Sequence, residues 1–594
     1  MKKIFLLLFI VILAFVGCDN DFLEETPKDT VGSDPVFSSE NGLQLYTYSF
    51  YNVLPDAMDI FNGDNISDYG SRRTITEFLT PGAFTASESS GWSWGDLRNI
   101  NHFLANNNNE QVPLDVRQHY NGLARFFRAW FYFEKVQRFG DVPWISKPFD
   151  VEDPALYDPR DSRTMVMDSV LADLNYATEN LRSTPDPTRS QITRDVAYAF
   201  LSRVALFEGT FRKYHTNYNL VESSNQWLTV AADAAKAVMD NGVYSIHTGS
   251  GLDMSYRDLF ISESPVSSEV ILAWIADEAL NVLHAANWHY TSSTTGIGFN
   301  LTRDFINTYL HTDGTPHTDI PGWETMIFTE EVENRDRRLE QTIRTPGYSR
   351  LSGGVVMPLP PRFEYTNTGY HPIKWVQDDM MKDTWTLTTS SVPIIRYAEV
   401  LLNYAEAKAE LGTITDDDWA ETIGVLRNRA GITSGLTELP TEIDPYLQET
   451  YFPDISDPVI LEVRRERGIE LVMEGFRFYD LVRWRRGELM EKVFNGIYVP
   501  ELNEPMDLNE DGNYDVVFYH TTMPSETIPG VEYLNVAPTT SGGQTNPRRL
   551  SEGTSGEIEW YWNNPRVWEE KHYLYPIPEI DRLFNPNLGQ NPGW

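Results

Sequence analysis

The chain has a single cysteine in 594 residues, Cys18. It cannot form an internal disulfide, so stability outside a reducing compartment must come from packing. Basic residues are also scarce: 48 Lys and Arg stand against 86 Asp and Glu, a formal net charge of -38. Phosphate backbones are gripped by clustered Lys and Arg, so nucleic acid is excluded as a partner. An acidic surface suits solubility, cations or neutral ligands. Only one long apolar run exists, residues 4–16. Catalytic signatures are missing as well. There is no His-Glu-x-x-His and no Gly-x-x-x-x-Gly-Lys. The 11 histidines are scattered: His284 and His289 are five apart and His311 and His317 six apart, poor spacings for paired ligands on a helix. Close carboxylate pairs are inevitable among 86 acidic residues, so composition alone leaves glycoside hydrolysis open.

What is present begins at the N-terminus. Lys2 and Lys3 precede the apolar run, and Gly17-Cys18 follows it. This is the layout of a secretory signal peptide, and the run is shorter than the roughly 20 residues of a membrane span. A cysteine directly after glycine at its end matches a bacterial lipobox, with Phe15 where leucine is usual. Cleavage before Cys18 would leave its thiol to carry diacylglycerol, and several acyl chains anchor stably. The alternative is an ordinary signal with an incidental cysteine. The expected organisation is therefore a signal over 1–17 and a lipidated, acidic tether over 18–37, holding Pro27, Gly32 and Pro35. The mature chain keeps about 577 residues, and 41% hydrophobic with 23% charged residues is a globular composition.

Helical spacing of apolar residues dominates the first part of the body. Ser38 or Ser39 can cap a helix running to about Val53. Tyr120, Leu123, Phe127, Trp130 and Phe131 share a face over residues 114–139, stopped by Gly140. Residues 161–181, 193–209 and 226–241 repeat the pattern with alanines at helix crossings, and Gly242 ends the last. A second helical region starts after Pro393, with a helix to Gly412, a partner from Asp416, and a helix from Asp457-Pro458 through Glu474. Such hairpins resemble tetratricopeptide units without a regular period. Residues 286–390 and 495–560 differ, being rich in Gly, Pro, Thr, Asn and aromatics, with short strands such as 270–274 nearby. Long irregular stretches of this kind are usually functional.

Specific motifs then point to a family. Arg464-Arg465-Glu466-Arg467 and Glu470-Leu471 precede Glu474-Gly475-Phe476-Arg477, Asp480-Leu481 and Arg483-Trp484. The chain closes with Tyr575-Pro576-Ile577-Pro578, Asn585-Pro586 and Gln590-Asn591-Pro592-Gly593-Trp594. Arg128-Ala129-Trp130-Phe131-Tyr132 and Phe139-Gly140-Asp141-Val142-Pro143 come earlier. Together, and in this order, they resemble the SusD/RagB family of Bacteroidetes outer-membrane lipoproteins over nearly the whole mature chain. The acidic residues after Cys18 also resemble the surface-export signal of that phylum. The resemblance implies a mainly α fold, with tetratricopeptide-like hairpins against an irregular, loop-rich half with short strands. A SusD-like N-terminal region (38–250) and a RagB/SusD C-terminal region (251–594) would form one body. It implies a non-catalytic, cell-surface protein, capping a SusC-like TonB-dependent transporter and delivering an oligosaccharide to it. Peptides or another nutrient are the alternative cargo, and a passive lid with little affinity of its own is the alternative role.

Two sets of candidate residues follow. Asp507, Asn509, Asp511, Asn513 and Asp515, with Gly512 at the turn, match a calcium loop in which Asn513 contributes its backbone carbonyl. Position 12 is Phe518, and 516–518 suit a strand, so the loop departs from an EF-hand and a bound Ca²⁺ would be structural. The competing reading is a polar turn whose Asp and Asn side chains cap their own backbone. No organic cofactor is expected. For the sugar, indole and phenol faces can stack on a pyranose while polar neighbours take its hydroxyls. Trp92 and Trp94 lie among Gly and Ser, Trp288 and Tyr290 precede a Gly/Thr-rich stretch, Trp323 follows Pro321-Gly322, and Tyr69 and Arg72 follow Asp68 in a polar loop; these are the candidates, each with core or framework packing as its alternative. Trp130, Trp227 and Trp419 lie on apolar helix faces and are assigned to packing. The Arg464–Glu470 run is assigned to the framework, with i,i+3 pairing along its helix.

Overall fold

The computed structural model describes residues 36–150, 152–292 and 298–594. Cys18, the signal and most of the tether lie outside the described residues. Among the described residues no helix is long and apolar enough to cross a membrane.

Helix starts fall where side chains can cap them. Ser39 accepts the Gly42 amide at 3.2 Å and opens α1 (Glu40–Thr47), which tightens into a 3-10 turn over Tyr48–Val53. α2 (Gly95–Asn106) and α3 (Leu114–Phe139) follow, and Gly140 ends α3 at φ +73°. Ser162 caps α4 (Arg163–Asn180) and Thr193 caps α5 (Arg194–Tyr214). α6 (Ser224–Asp240) ends before Gly242. The pattern places the end of α5 near Gly209, but the helix continues to Tyr214. Gly209 faces α6 instead, where a Cβ would lie 2.9 Å from Leu228 Cγ. That glycine marks a close helix approach, not a stop.

α3 packs on α4, α4 on α5 and α5 on α6. A long insertion carrying the short α7 (Ala286–Thr291) comes next. α8 (Tyr397–Glu410) then returns to pack on α5 and α6, and α9 (Pro458–Glu470) packs on α8. Buried Ala231, Ala234, Ala235, Ala398, Ala405 and Ala409 let these helices approach closely. α9 stops four residues before Glu474, because Met473 (φ +63°) and Gly475 (φ +85°) turn the chain. Gly475 lies against Gly63, where a Cβ would meet its Cα at 2.5 Å. α10 (Arg477–Arg483) follows that turn and packs on α5.

The strands form small sheets that pair distant segments. β1 (Gly70–Ser71) pairs with β3 (Asn300–Leu301), and β2 (Val270–Trp274) with β6 (Val392–Arg396), both antiparallel. β4 (Ser349–Ser352) and β5 (Val355–Pro358) form a hairpin. β7 (Phe494–Val499), β12 (Gly556–Trp560) and β11 (Arg548–Leu550) form one three-stranded sheet. β8 (Pro505–Met506), β9 (Val516–Tyr519) and β10 (Glu532–Asn535) form another, so 516–518 is indeed strand. β3, β4 and β5 lie within the 286–390 stretch and β7 to β12 within or at the edge of 495–560, and one large apolar cluster runs from Phe37 to Leu588 through both halves.

The Arg/Glu run of α9 is a framework, but its pairing differs from the i,i+3 scheme. Glu470 is fully buried and bonds Arg396 at 2.5 Å, Arg338 at 2.8 Å and also Arg429, all outside α9. Arg467 meets Asp480 of α10 at 2.8 Å, and Arg464 meets Glu410 of α8 at 3.1 Å. Arg483 bonds Glu406 at 2.5 Å, and Arg396 and Lys374 share Glu474 at 2.7 Å each. Burial would raise the Glu470 carboxyl, but the guanidiniums of Arg429, Arg396 and Arg338 outweigh it and hold the group well below the usual range.

Candidate functional site

Most of the aromatic candidates are structural. Trp92 is 9% exposed and meets Phe139 edge-on at 5.0 Å and Trp94 at 5.3 Å. Trp94 is half-buried against Phe131 and Tyr132. Tyr69 is buried, its hydroxyl bonding Asp64 and accepting the Met473 amide at 3.2 Å. Tyr290 is buried and donates to Phe61 O at 2.5 Å. Burial raises both phenols, and the Asp64 carboxylate adds to the rise at Tyr69. Arg72 is half-buried, which lowers its guanidinium, and its carbonyl takes the Trp560 indole N–H at 2.8 Å. Tyr69 and Tyr290 therefore brace the interior rather than face a ligand, while Arg72 lines a small cleft beside Gly70 and Ile75.

Gly91-Trp92-Ser93-Trp94-Gly95 also has the Gly-x-Ser-x-Gly spacing of a hydrolase nucleophile turn, which the sequence reading missed. Here no strand precedes it, and Ser93 is exposed with no hydrogen bond to a histidine or carboxylate. The strand–turn–helix context that gives this spacing its chemistry is missing.

Trp288 differs. It projects from α7, half-exposed, and its ring meets Trp385 at 4.3 Å between centroids and an angle of 83°. Trp385 is 55% exposed. Two indoles at nearly a right angle form an aromatic corner whose Trp385 side is open to solvent. The base of the corner is fixed. Asn287 donates to Asp383 at 3.1 Å and to Gln377 O at 3.0 Å, and accepts the Gln377 amide at 2.8 Å. Buried Arg350 grips Asp383 with two bonds, 2.9 and 2.6 Å, and also bonds Gln377 O. Thr384 and Thr386 flank Trp385 and are exposed. A rigid base under exposed rings lowers the ordering cost of binding. Trp385 was absent from the sequence candidates; its place in the irregular 286–390 stretch was the available signal.

Trp323 stands apart, half-exposed on a 3-10 turn. It meets Tyr446 at 5.7 Å, whose hydroxyl reaches Asp304 at 3.3 Å, with Asn495 donating to the same carboxylate at 2.8 Å. This is a second, smaller aromatic and polar patch.

The 507–515 loop is closed by its own amides. Asp507 accepts from Asn509 at 3.1 Å, Glu510 at 2.7 Å and Gly512 at 2.9 Å. Asp511 accepts from the Asn513 amide at 2.8 Å, and Asp515 from Leu508 at 2.7 Å. Burial pushes Asp515 up to about 6, with Asp507, Asp511 and Glu532 adding repulsion. Among the described residues no three His, Cys, Asp or Glu side chains form a metal-holding group. The donor set and its charge suit Ca²⁺, and each carboxylate keeps lone pairs beyond those its amide donors use.

Comparison with known proteins matches this architecture. The family model described as "SusD family" matches residues 273–594, and one described as "Starch-binding associating with outer membrane" matches 94–206. "SusD-like protein P2" of Formosa agariphila is 25% identical over 580 residues, covering 91% of this chain and 100% of that one. A "SusD-like protein" of Bacteroides ovatus is 23% identical, covering 100% and 98%. A solved SusD-like protein of Bacteroides fragilis superposes with a TM-score of 0.68 at 21% identity, covering 96% of this chain and 100% of that one. A second from that species, called a SusD-like carbohydrate binding protein, gives 0.65 at 21% identity over 93% and 99%. With its mainly helical fold and a matched segment exceeding half its length, the chain belongs to the SusD family.

Proposed function

We propose that this chain is a cell-surface, outer-membrane lipoprotein that captures a glycan and passes it to a SusC-like TonB-dependent transporter, acting as a binding protein and not a catalyst. The observation that carries the reading is the Trp288–Trp385 corner: exposed indole faces on a braced base, flanked by hydroxyls. That combination suits a neutral sugar, as does the acidic composition. One solved relative named as a carbohydrate binding protein, and the family model described as starch-binding, add support.

The same region offers a face for a protein partner. Val355, Val356 and Met357 of β5 are exposed, with Met380, Met381 and Leu387 exposed on the neighbouring Trp385 segment. β4 bridges to that segment through Leu351 and Asp379. Contiguous exposed apolar surface of this kind is characteristic of a face that a partner covers. A transporter docked here would meet the glycan where it is held. Cys18 supplies the lipid anchor in this reading, and Ca²⁺ stiffens the 507–515 loop by relieving the repulsion on Asp515. Affinity electrophoresis through gels cast with plant, host and microbial polysaccharides tests the capture step. Retardation by one glycan class is the expected result; migration unaffected by every class would leave peptide capture or a passive lid.

A further inference from the structure

A cleft of about 460 Å³ lies between α3, α5 and the turn joining α9 to α10, and neither Trp288 nor Trp385 lines it. Its volume falls in the usual range of small-molecule sites, roughly 300–1,000 Å³. The loop at Ser90 and Gly91 forms its rim, held there by Lys135 donating to Gly91 O at 2.6 Å and Arg138 to Ser90 O at 3.0 Å. Phe133 and Phe207 supply apolar wall.

Three polar side chains in the cleft have unused hydrogen-bonding capacity. Glu134 accepts from the Trp130 indole N–H at 2.7 Å through one oxygen, and its second oxygen has no partner among the described residues. Its side chain is open to water in the cleft while protein surrounds it on most sides, and burial pushes the carboxyl up to about 7. Tyr479 Oη and the Gln137 amide also line the cleft without a hydrogen-bond partner among the described residues. All three side chains are open to water in the cleft, and a ligand's hydroxyls can take the place of that water.

The charges decide the ligand class. Lys135 and Arg203 act on Glu134 from one sign and Asp59 from the other. The cations are already engaged, Lys135 by Gly91 O and Arg203 by Glu399 at 2.6 and 2.7 Å. An ammonium ligand would face Lys135, Arg138 and Arg203, and an anion would face Glu134 and Asp59. A neutral ligand with several hydroxyls avoids both conflicts. It can donate to Glu134, exchange hydrogen bonds with Tyr479 and Gln137, and lay C–H surface on Phe133 and Phe207. We infer that this cleft is a second binding site, separate from the tryptophan corner, for a short neutral saccharide of one or two rings.

The test uses saturation-transfer NMR on the mature chain with millimolar maltose, cellobiose, lactose and their monosaccharides. The expected result is transfer to at least one sugar. Glu134→Gln and Tyr479→Phe should each weaken it about fivefold or more, the scale of one lost hydrogen bond. Gln137→Ala, a change at a side chain with no partner to lose, serves if either variant melts early. The Trp288→Ala/Trp385→Ala double variant should leave transfer unchanged, which separates this site from the corner. Absence of transfer from every sugar would overturn the inference. So would transfer abolished by the tryptophan variant, or transfer indifferent to all three cleft substitutions.

Discussion

Replacing Glu470 by Ala tests whether the α9 run is a framework. Glu470 has no solvent exposure and engages Arg338, Arg396 and Arg429 at once. Removing one partner of a buried ion pair costs about 3–5 kcal/mol, because the remaining charge stays desolvated and unpaired. The upper figure is not reached several times over here. Arg338 keeps Asp336 and Glu466, Arg396 keeps Glu269 and Glu474, and Arg429 keeps Glu269. An unfolding entropy of about 2.1 cal/mol/K per residue, over about 550 residues, gives ~1.2 kcal/mol/K and a midpoint lowered by about 3–4 °C. The exposed Arg182–Glu40 pair is the control, with side chains 54% and 49% exposed. Glu40→Ala should shift the midpoint by less than about 1 °C. The assay is calorimetric melting at neutral pH. The Glu470 carboxyl is held below its unfolded value, so its contribution is complete above that value and lost as pH falls through the folded one. The gap between wild type and Glu470→Ala should therefore persist at neutral pH and narrow only well below pH 4.5. Equal shifts from Glu470→Ala and Glu40→Ala, or a gap that widens in acid, would refute the reasoning.

Three further outcomes are expected. Trp385→Ala should weaken glycan binding at least fivefold without altering the melting midpoint, since its ring is largely exposed and truncating a binding anchor typically costs more than about 1 kcal/mol; titration of the retarding polysaccharide measures it. Cys18→Ala should release the protein from the membrane fraction, and a variant that stays membrane-bound would remove the lipid anchor from the account. Purified protein should contain calcium, with Asp511→Ala abolishing any calcium-induced rise in melting temperature. Metal-free protein whose melting ignores both calcium and the substitution would leave the 507–515 loop as a self-capped turn.

Local signals were the legible part of the fold. Capping by Ser39, Ser162 and Thr193 and the positive φ of Gly140 and Gly242 depend on neighbours within a few residues, so pattern alone located those boundaries. Gly209 misled because its role is set by Leu228 on another helix. The end of α9 was missed for a similar reason, since Gly475 turns against Gly63. The family motifs were readable as motifs, but not their partners: Glu470 looks toward Arg467 in the sequence and toward Arg338, Arg396 and Arg429 in space. The binding aromatics were the hardest to read. Trp92 and Trp94 lie among Gly and Ser, Trp288 precedes a Thr- and Ser-rich stretch, and nothing local says which indole turns inward. Trp385 becomes visible only when Asp383 is tied to Arg350 and Asn287. The Glu134 cleft is assembled from residues between 55 and 483; the Glu474–Phe476 motif lines it, but nothing local joins that motif to Glu134 and Gln137.

The most direct test of glycan capture is affinity electrophoresis of the chain from residue 19 onward, alongside its Trp288→Ala/Trp385→Ala variant, across a polysaccharide panel. One glycan class should retard the wild type, and the variant should run free. A wild type that no polysaccharide retards would contradict capture, and a variant retarded as strongly as the wild type would contradict its placement at the tryptophan corner.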